Sequence, residues 1–540
     1  MRIRLDNLTA DEQNLARALE EGVVYGPETP ENQNAPVIRA EAIRLLLRNV
    51  GANLTPDPKG LRLRHIEIEG RINLDHIDTS IPLDFDRCHL PDGLTAAHAK
   101  LPILSLRNIS IERHSTENAI LHLHRLRVDD LILTGCTLIN RRGPALTGTN
   151  LIVDSNAMLN GGFTVRGEGP DGAVRLLGAT INGILHLGGA KLTNFTGPAL
   201  MAAGNVTVGA NAFLFEGFTA HGAGPMGAVC FLGANIKGIL HMKDAQLTNE
   251  TGPALNAEDL TAGPGVFLDG CFAARGAGVQ GAVRLTRATI GGQLNLANSY
   301  LTNWTGPGLQ AEDLTVGSTI SVAADNLRRA SSIGNWNVTG LTYRGLDVEP
   351  YVWLRFLRLA TSEYSPQPYQ QFATVTHNHG EEHLTREALI AQRNDLLAAS
   401  KFDHKLLTIG QRLWQRALQA TVGYGYKTWR ALLWLLVLVG VAAAGTLVSG
   451  TGNTTVLQQP LGSKAGVPEG PCRVIDLWML SLEIIPIVPL VSGITDRCVV
   501  TASTEGGAYL AASIFLKLVS WALVTLFVAG YTNIVRNPKA

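Results

Sequence analysis

Three things are scarce in this chain. Cysteine occurs six times in 540 residues, which excludes a disulfide-framework domain. Net charge is absent: 45 Lys+Arg balance 45 Asp+Glu, which excludes a nucleic-acid scaffold coated in basic side chains and an acidic disordered tail. The opening Met1-Arg-Ile-Arg-Leu-Asp-Asn carries charge but no apolar run follows it, so no signal peptide is expected. What is abundant is glycine, 57 residues, above the usual ~7%. The length allows three or four domains.

The zero average hides a gradient. Residues 1–350 carry 29 − 34 = −5, residues 351–430 carry 10 − 6 = +4, and residues 431–540 carry 6 − 5 = +1. Beyond the basic collar, Ala431–Val448 (ALLWLLVLVGVAAAGTLV) runs eighteen residues without a charge, about 27 Å as a helix and enough to cross a bilayer core. A second apolar run, Tyr509–Tyr531, is interrupted only by Lys517. Two spans are expected, about 431–448 and 509–531. Lys401, Lys405, Arg412, Arg416, Lys427 and Arg430 against Asp403 precede the first span, and Arg536 and Lys539 follow the second. The positive-inside rule then places both termini in the cytoplasm of a multi-pass cell-membrane protein.

The chain also repeats itself. Gly172–Leu200 (GAVRLLGATINGILHLGGAKLTNFTGPAL) returns as Gly227–Leu255 (GAVCFLGANIKGILHMKDAQLTNETGPAL) and as Gly281–Leu309 (GAVRLTRATIGGQLNLANSYLTNWTGPGL), at spacings of 55 and 54. A weaker copy shows at Gly143–Leu146. Inside a copy, Val174-x-Leu176, Ala179-x-Ile181, Leu185-x-Leu187 and Ala190-x-Leu192 alternate with period two, the mark of short strands. Such strands cannot bury a face alone, so stacked coils must bury it against each other. The expected fold is mainly β: a right-handed β-solenoid with helical caps, a helical hairpin and two C-terminal transmembrane helices. At roughly 20 residues and ~4.8 Å per coil the rod would be about 65 Å long.

The domain reading is 1–55 as an N-terminal helical cap, 56–348 as the solenoid, 349–430 as hairpin and basic interfacial helix, and 431–540 as the membrane domain. Thr9-Ala-Asp-Glu12 fits a capping box that starts a helix, Pro36–Asn49 reads as a second helix, and Pro350–Leu359 resumes helical spacing downstream. Lys405–Ala420 reads as a basic amphipathic helix at the lipid interface or packed on the cap. Residues 475–493, apolar but holding Asp476, Glu483, Pro486 and Pro489, read as a half-inserted helix.

The Gly-rich "GAxIxGxLxL…GAxL…GxAL" repeats, followed by a helical hairpin and two C-terminal spans, resemble bacterial pentapeptide-repeat-like membrane proteins, a group often labelled "membrane-associated oxidoreductase". The resemblance runs from about residue 35 to the end. It implies the architecture above and transfers no catalytic residue set.

Candidate chemistry is sparse. Three strings have the dinucleotide-fingerprint form G-x-G-x-x-G: Gly167–Gly172, Gly222–Gly227 and Gly276–Gly281. Each precedes a strand pattern rather than a helix, so all three read as the same turn of successive repeats and no cofactor is assigned. His377, His379 and His383 are weak metal candidates, set against a solvated hairpin turn at Gly380. Cys88, Cys136, Cys230 and Cys271 read as buried or half-buried thiols filling repeat positions; Cys472 and Cys498, both between the spans, form a possible disulfide. Lys517 must snorkel or find an acid within the span, with Glu483 its named partner and Asp476 the fallback. No catalytic residue is nominated.

These observations lead to a membrane-tethered cytoplasmic β-solenoid acting as scaffold, sensor or protein-interaction platform. Its partners would be the bilayer, a protein on the solenoid surface and possible further copies of the chain, without nucleic acid. The alternative is an oligomeric membrane effector or pore with residues 475–530 lining or gating a path. The oxidoreductase of the family label is the weaker third reading, for which no residues can be named.

Overall fold

The computed structural model describes residues 7–29, 35–48, 54–114, 119–327, 335–359, 364–399, 421, 429–451, 456–458, 472, 474–484, 499–500 and 504–531. The chain divides into two compact units, Met1–Asp395 and Leu396–Ala540.

The first unit is a parallel β-solenoid. Each coil passes through three faces. Among the described residues, face 1 is an 11-stranded sheet running from Ile72–Asn73 to Trp336–Asn337, face 2 a 20-stranded sheet that most coils enter twice, and face 3 an 8-stranded sheet from Ser110–Arg113 to Tyr300–Asn303. On face 1 the inward column reads Val174, Leu200, Val229, Leu255, Val283, Leu309, each the register partner of the next. All six are buried. Period-two alternation in two-residue strands thus becomes one continuous apolar core along the rod.

The coils are longer than the sequence suggests. Along that column the steps are 26, 29, 26, 28 and 26 residues, against the roughly 20 expected. The repeat of 54–55 residues is therefore two coils, and about 11 coils make a rod of about 50 Å. Core volume explains why the sequence repeats every second coil. Phe163, Ala190, Phe218, Ala245, Phe272 and Ser299 occupy one inward corner of six successive coils, linked by the backbone bonds of the strands that follow them. All are buried. A phenyl ring fills the space that its small neighbours above and below leave open, whereas a ring on every coil would overpack the corner.

Both ends of the rod are covered. Helix α1 (Ala10–Glu21) begins with the expected capping box: Glu12 accepts the Thr9 amide at 2.8 Å, and Thr9 Oγ1 accepts the Glu12 amide at 3.3 Å. Glu12, fully buried, also takes the Arg39 guanidinium, Nε to Oε1 at 2.7 Å. Burial pushes its carboxyl up, but the Arg39 guanidinium and the backbone amides of Thr9 and Arg39, all donating to the carboxylate, together hold it below the usual range. The predicted helix from Pro36 starts later. Val37–Arg39 is a strand paired in parallel with Glu67–Glu69, and α2 spans Ala40–Arg48. Pairing with the free edge of the first coil outweighs helix propensity there.

At the far end α3 (Pro350–Leu359) packs Trp353 against Tyr343, its indole N–H donating to the Tyr343 hydroxyl at 3.1 Å. Helix α4 (Gln367–Asn378) supplies side-chain amides where a further coil would supply backbone. Gln367 accepts the Gly340 amide at 3.0 Å and donates to Leu341 O at 3.0 Å, and Gln371 donates to Tyr343 O at 2.7 Å. A sheet edge is satisfied without a strand.

The second unit contains α6 (Trp429–Thr451), α7 (Val474–Ile484) and α8 (Thr504–Tyr531). Within it α6 packs on both α7 and α8, and Leu457–Gln458 pairs antiparallel with Val499–Val500. The interfacial helix expected over Lys405–Ala420 lies outside the described residues.

Candidate functional site

The G-x-G-x-x-G strings are the corners between face 3 and face 1, and their polar backbone groups are already engaged. Gly169, Gly224 and Gly278 each donate their amide to a threonine on the next coil: Thr196 at 2.7 Å, Thr251 at 2.6 Å and Thr305 at 2.6 Å. Their carbonyls accept from Asn194, Asn249 and Asn303 at 2.8–2.9 Å. These residues belong to the recurring T-N-x-T-G-P sequence. Its glycine is required because a Cβ at Gly197, Gly252 or Gly306 would fall onto the carbonyl oxygen of Gly169, Gly224 or Gly278. The strands Val174–Arg175, Val229–Cys230 and Val283–Arg284 follow these corners where a fingerprint needs a helix. The strings are corner clamps between coils.

The same corners overhang face 1 and make a cleft. A cavity of about 590 Å³ is lined by His122, His124, Thr147, Thr149 and Arg175 from the face and its turn. Its walls are the Arg142–Pro144 corner and the Glu168–Gly172 loop. His122, Thr147 and Arg175 are outward-facing register partners on three successive coils. His122 Nδ1 lies 3.0 Å from Thr147 Oγ1, and burial holds its imidazole below its ordinary value. His124 packs 6.2 Å from His122 and 5.4 Å from His98, which stacks on His76 at 5.1 Å. Arg175 meets Asp171 at 3.1 Å, with Asp171 65% exposed on the rim. At one end Gly172 sits against Met201, and an apolar cluster of Met201, Ala203 and Cys230 continues along the face. Sequence reasoning missed this cleft, because its residues come from coils 25–28 positions apart. The ladder of non-repeating polar residues at the outward position was the available signal.

The other candidates are dispersed. His377 lies in the last turn of α4, His379 caps it, and Gly380 turns the chain with φ +78° into α5 (Glu382–Ala399). All three histidines are exposed, and His383 Nδ1 lies 3.3 Å from the Tyr351 hydroxyl. Among the described residues no three His, Cys, Asp or Glu side chains gather as a metal site. Cys88, Cys136 and Cys230 are buried, with burial pushing the first two thiols up to about 12 and about 11, whereas Cys271 is exposed rather than half-buried. Cys472 is buried and disulfide-bonded; Cys498 lies outside the described residues. The side chains of Glu483 and Asp476 also lie outside them. Lys517 is exposed, and α8 begins earlier than expected. The candidate span Thr504–Val528 therefore puts Lys517 thirteen residues from one end and eleven from the other, near its middle.

Fold and site together define a parallel β-solenoid protein of the repeat type, joined to a helical unit with two helices long and apolar enough to cross a membrane. No protein-family model, curated protein or solved structure matches the chain.

Proposed function

We propose that this protein is a membrane-tethered scaffold and sensor platform, its solenoid held at the cytoplasmic face of a bacterial inner membrane with both termini inside. One observation carries the tether. In the apolar eighteen-residue stretches of Trp429–Gly450 and Thr504–Val528 only 28% and 11% of residues are buried. A core helix of a soluble protein would be mostly buried. Here Leu432, Leu433, Leu436, Val437, Ile514, Phe515, Leu518 and Trp521 face outward, the pattern that a hydrocarbon solvent favours. The basic collar before the first span supports the orientation. The rod surface offers the platform for a protein partner, since consecutive coils present side chains in fixed register.

The exposed thiol of Cys271 provides the test. In intact cells a membrane-impermeant maleimide is expected to leave Cys271 unlabelled, and permeabilisation is expected to expose it, with the chain resisting carbonate extraction. Labelling of intact cells, or release by carbonate, refutes the reading.

A second reading draws on Lys517. A cation exposed near the middle of a span is costly in lipid and is relieved by a partner acid or by a neighbouring copy. This favours an oligomeric membrane assembly, with Glu483 as the proposed partner. Cross-linked oligomers that Lys517→Leu leaves unchanged would remove that argument.

A further inference from the structure

The cleft over face 1 holds more polar capacity than the fold uses. Among the described residues the Arg142 guanidinium and the Glu168 carboxylate have no side-chain partner. Arg175 Nε is buried without a hydrogen bond. His122 spends one ring nitrogen on Thr147, and Thr149 also lines the cleft. A buried donor without a partner normally has a solvent or ligand explanation.

We propose that this cleft binds a sugar bearing one carboxylate. Three features select that chemistry. The floor mixes donors and acceptors: His122, Thr147 and Arg175 stand ~4.8 Å apart along the rod by the coil register, with His124 and Thr149 lining the cleft as well, and each imidazole and hydroxyl can both donate and accept. Such a floor suits a ligand whose hydroxyls also donate and accept, with a carboxylate for the donor-only guanidinium. An amino-acid zwitterion fits poorly, because its ammonium brings three donors to a cleft where, among the described residues, Glu168 is the one uncommitted acid. The free cation Arg142 stands at the wall, where a guanidinium takes a carboxylate in bidentate geometry. Glu168 stands beside it, one coil on, its amide held by Gly143 O at 2.9 Å, and accepts from sugar hydroxyls. A neutral sugar would leave Arg142 unpaired. The volume of about 590 Å³ lies within the range of small-molecule sites and exceeds what a simple inorganic anion would fill.

The site needs the solenoid alone. Its failure would leave the membrane tether intact, and a chain that proves not to be membrane-bound would still be expected to bind.

The test is calorimetric titration of the full-length protein in detergent with glucuronate, glucose, free serine and inorganic phosphate. Glucuronate is expected to saturate at least ~tenfold more tightly than the other three. Arg142→Gln is expected to lower glucuronate affinity to the level of glucose. Because Arg142 is exposed and unpaired, the thermal midpoint should not move. Thr147→Val should weaken both sugars, and Arg287→Gln, farther along the rod, should change neither. Absence of saturable glucuronate binding by about 10 mM overturns the proposal. So does equal affinity for glucose, serine or phosphate, or an Arg142→Gln protein that binds glucuronate unchanged.

Discussion

Replacing Asn249 by alanine should cost the solenoid about 3 kcal/mol, from the four hydrogen bonds its side chain makes. Asn249 is fully buried at a corner. Its Nδ2 donates to Gly224 O at 2.9 Å and Pro253 O at 2.8 Å, while Oδ1 accepts the Thr251 amide at 3.0 Å and its hydroxyl at 3.3 Å. Alanine removes all four bonds. Pro253 O keeps the Ala228 amide at 3.1 Å, so the two backbone groups left wanting are Gly224 O, which retains one contact at 3.5 Å, and the Thr251 amide. Gly224 is half-buried and Thr251 exposed, so water relieves part of that loss, and the estimate is set by the four lost bonds at about 0.5–1.5 kcal/mol each. Asn249→Asp should be worse, because a carboxylate brings no protons to two carbonyl oxygens. Thr251→Val loses the 2.6 Å bond to the Gly224 amide and should cost about 1 kcal/mol. The assay is denaturant unfolding of the full-length protein in detergent, with amide exchange to locate the loss at the corners around Gly224 and Thr251. Asn194 and Asn303 are four coils apart, about 19 Å, so their alanine variants should add. An Asn249→Ala effect below about 0.5 kcal/mol, or exchange that rises equally everywhere, would refute the clamp argument.

Other outcomes follow from the same structure. Phe218→Ala should cost about 3–5 kcal/mol by leaving a cavity, and Ala245→Phe should destabilise by overpacking, while the double exchange should recover part of the loss; unfolding midpoints that ignore both single changes would contradict the alternating corner. Burial holds His122, His124 and His186 below 6.5, so in the folded state they bind fewer protons than the unfolded chain does. Stability should therefore fall as pH drops through 6.5 and level off once the folded histidines also titrate; a thermal midpoint flat from pH 7.5 to 5.5 (about one unit either side) would argue against it. Cys472→Ser and Cys498→Ser should each slow migration without reductant if the two cysteines form the proposed bridge, and unchanged migration would separate them. Gln371→Leu removes the 2.7 Å bond to Tyr343 O and should raise amide exchange in the last coil before any other; uniform exchange would count against edge capping by side chains.

The solenoid, its capping box, the helix from Pro350 to Leu359 and the two apolar helices were legible in the sequence because each rests on local order. Alternation, caps and long apolar runs act within a few residues and need no knowledge of what lies above or below. Coil length was not legible. A repeat of 54–55 residues reports the period of the side-chain pattern, and that period doubles because Phe163, Phe218 and Phe272 alternate with Ala190, Ala245 and Ser299 in space. The strand at Val37–Arg39 escaped for a related reason: its partner, Glu67–Glu69, is thirty residues away.

The glycine strings show the division most clearly. Sequence context alone separated them from a dinucleotide site, because a strand pattern follows each one. Only the stacked coils revealed their use, since the Asn and Thr that bind them arrive from the next turn of the chain. The cleft has the same origin. His122, Thr147 and Arg175 have no relation along the sequence, and a parallel register with a ~4.8 Å step makes them neighbours. Local chemistry determined which elements form and where the chain becomes apolar enough for lipid. Register decided which side chains meet, because in a solenoid every lateral contact joins residues one full coil apart.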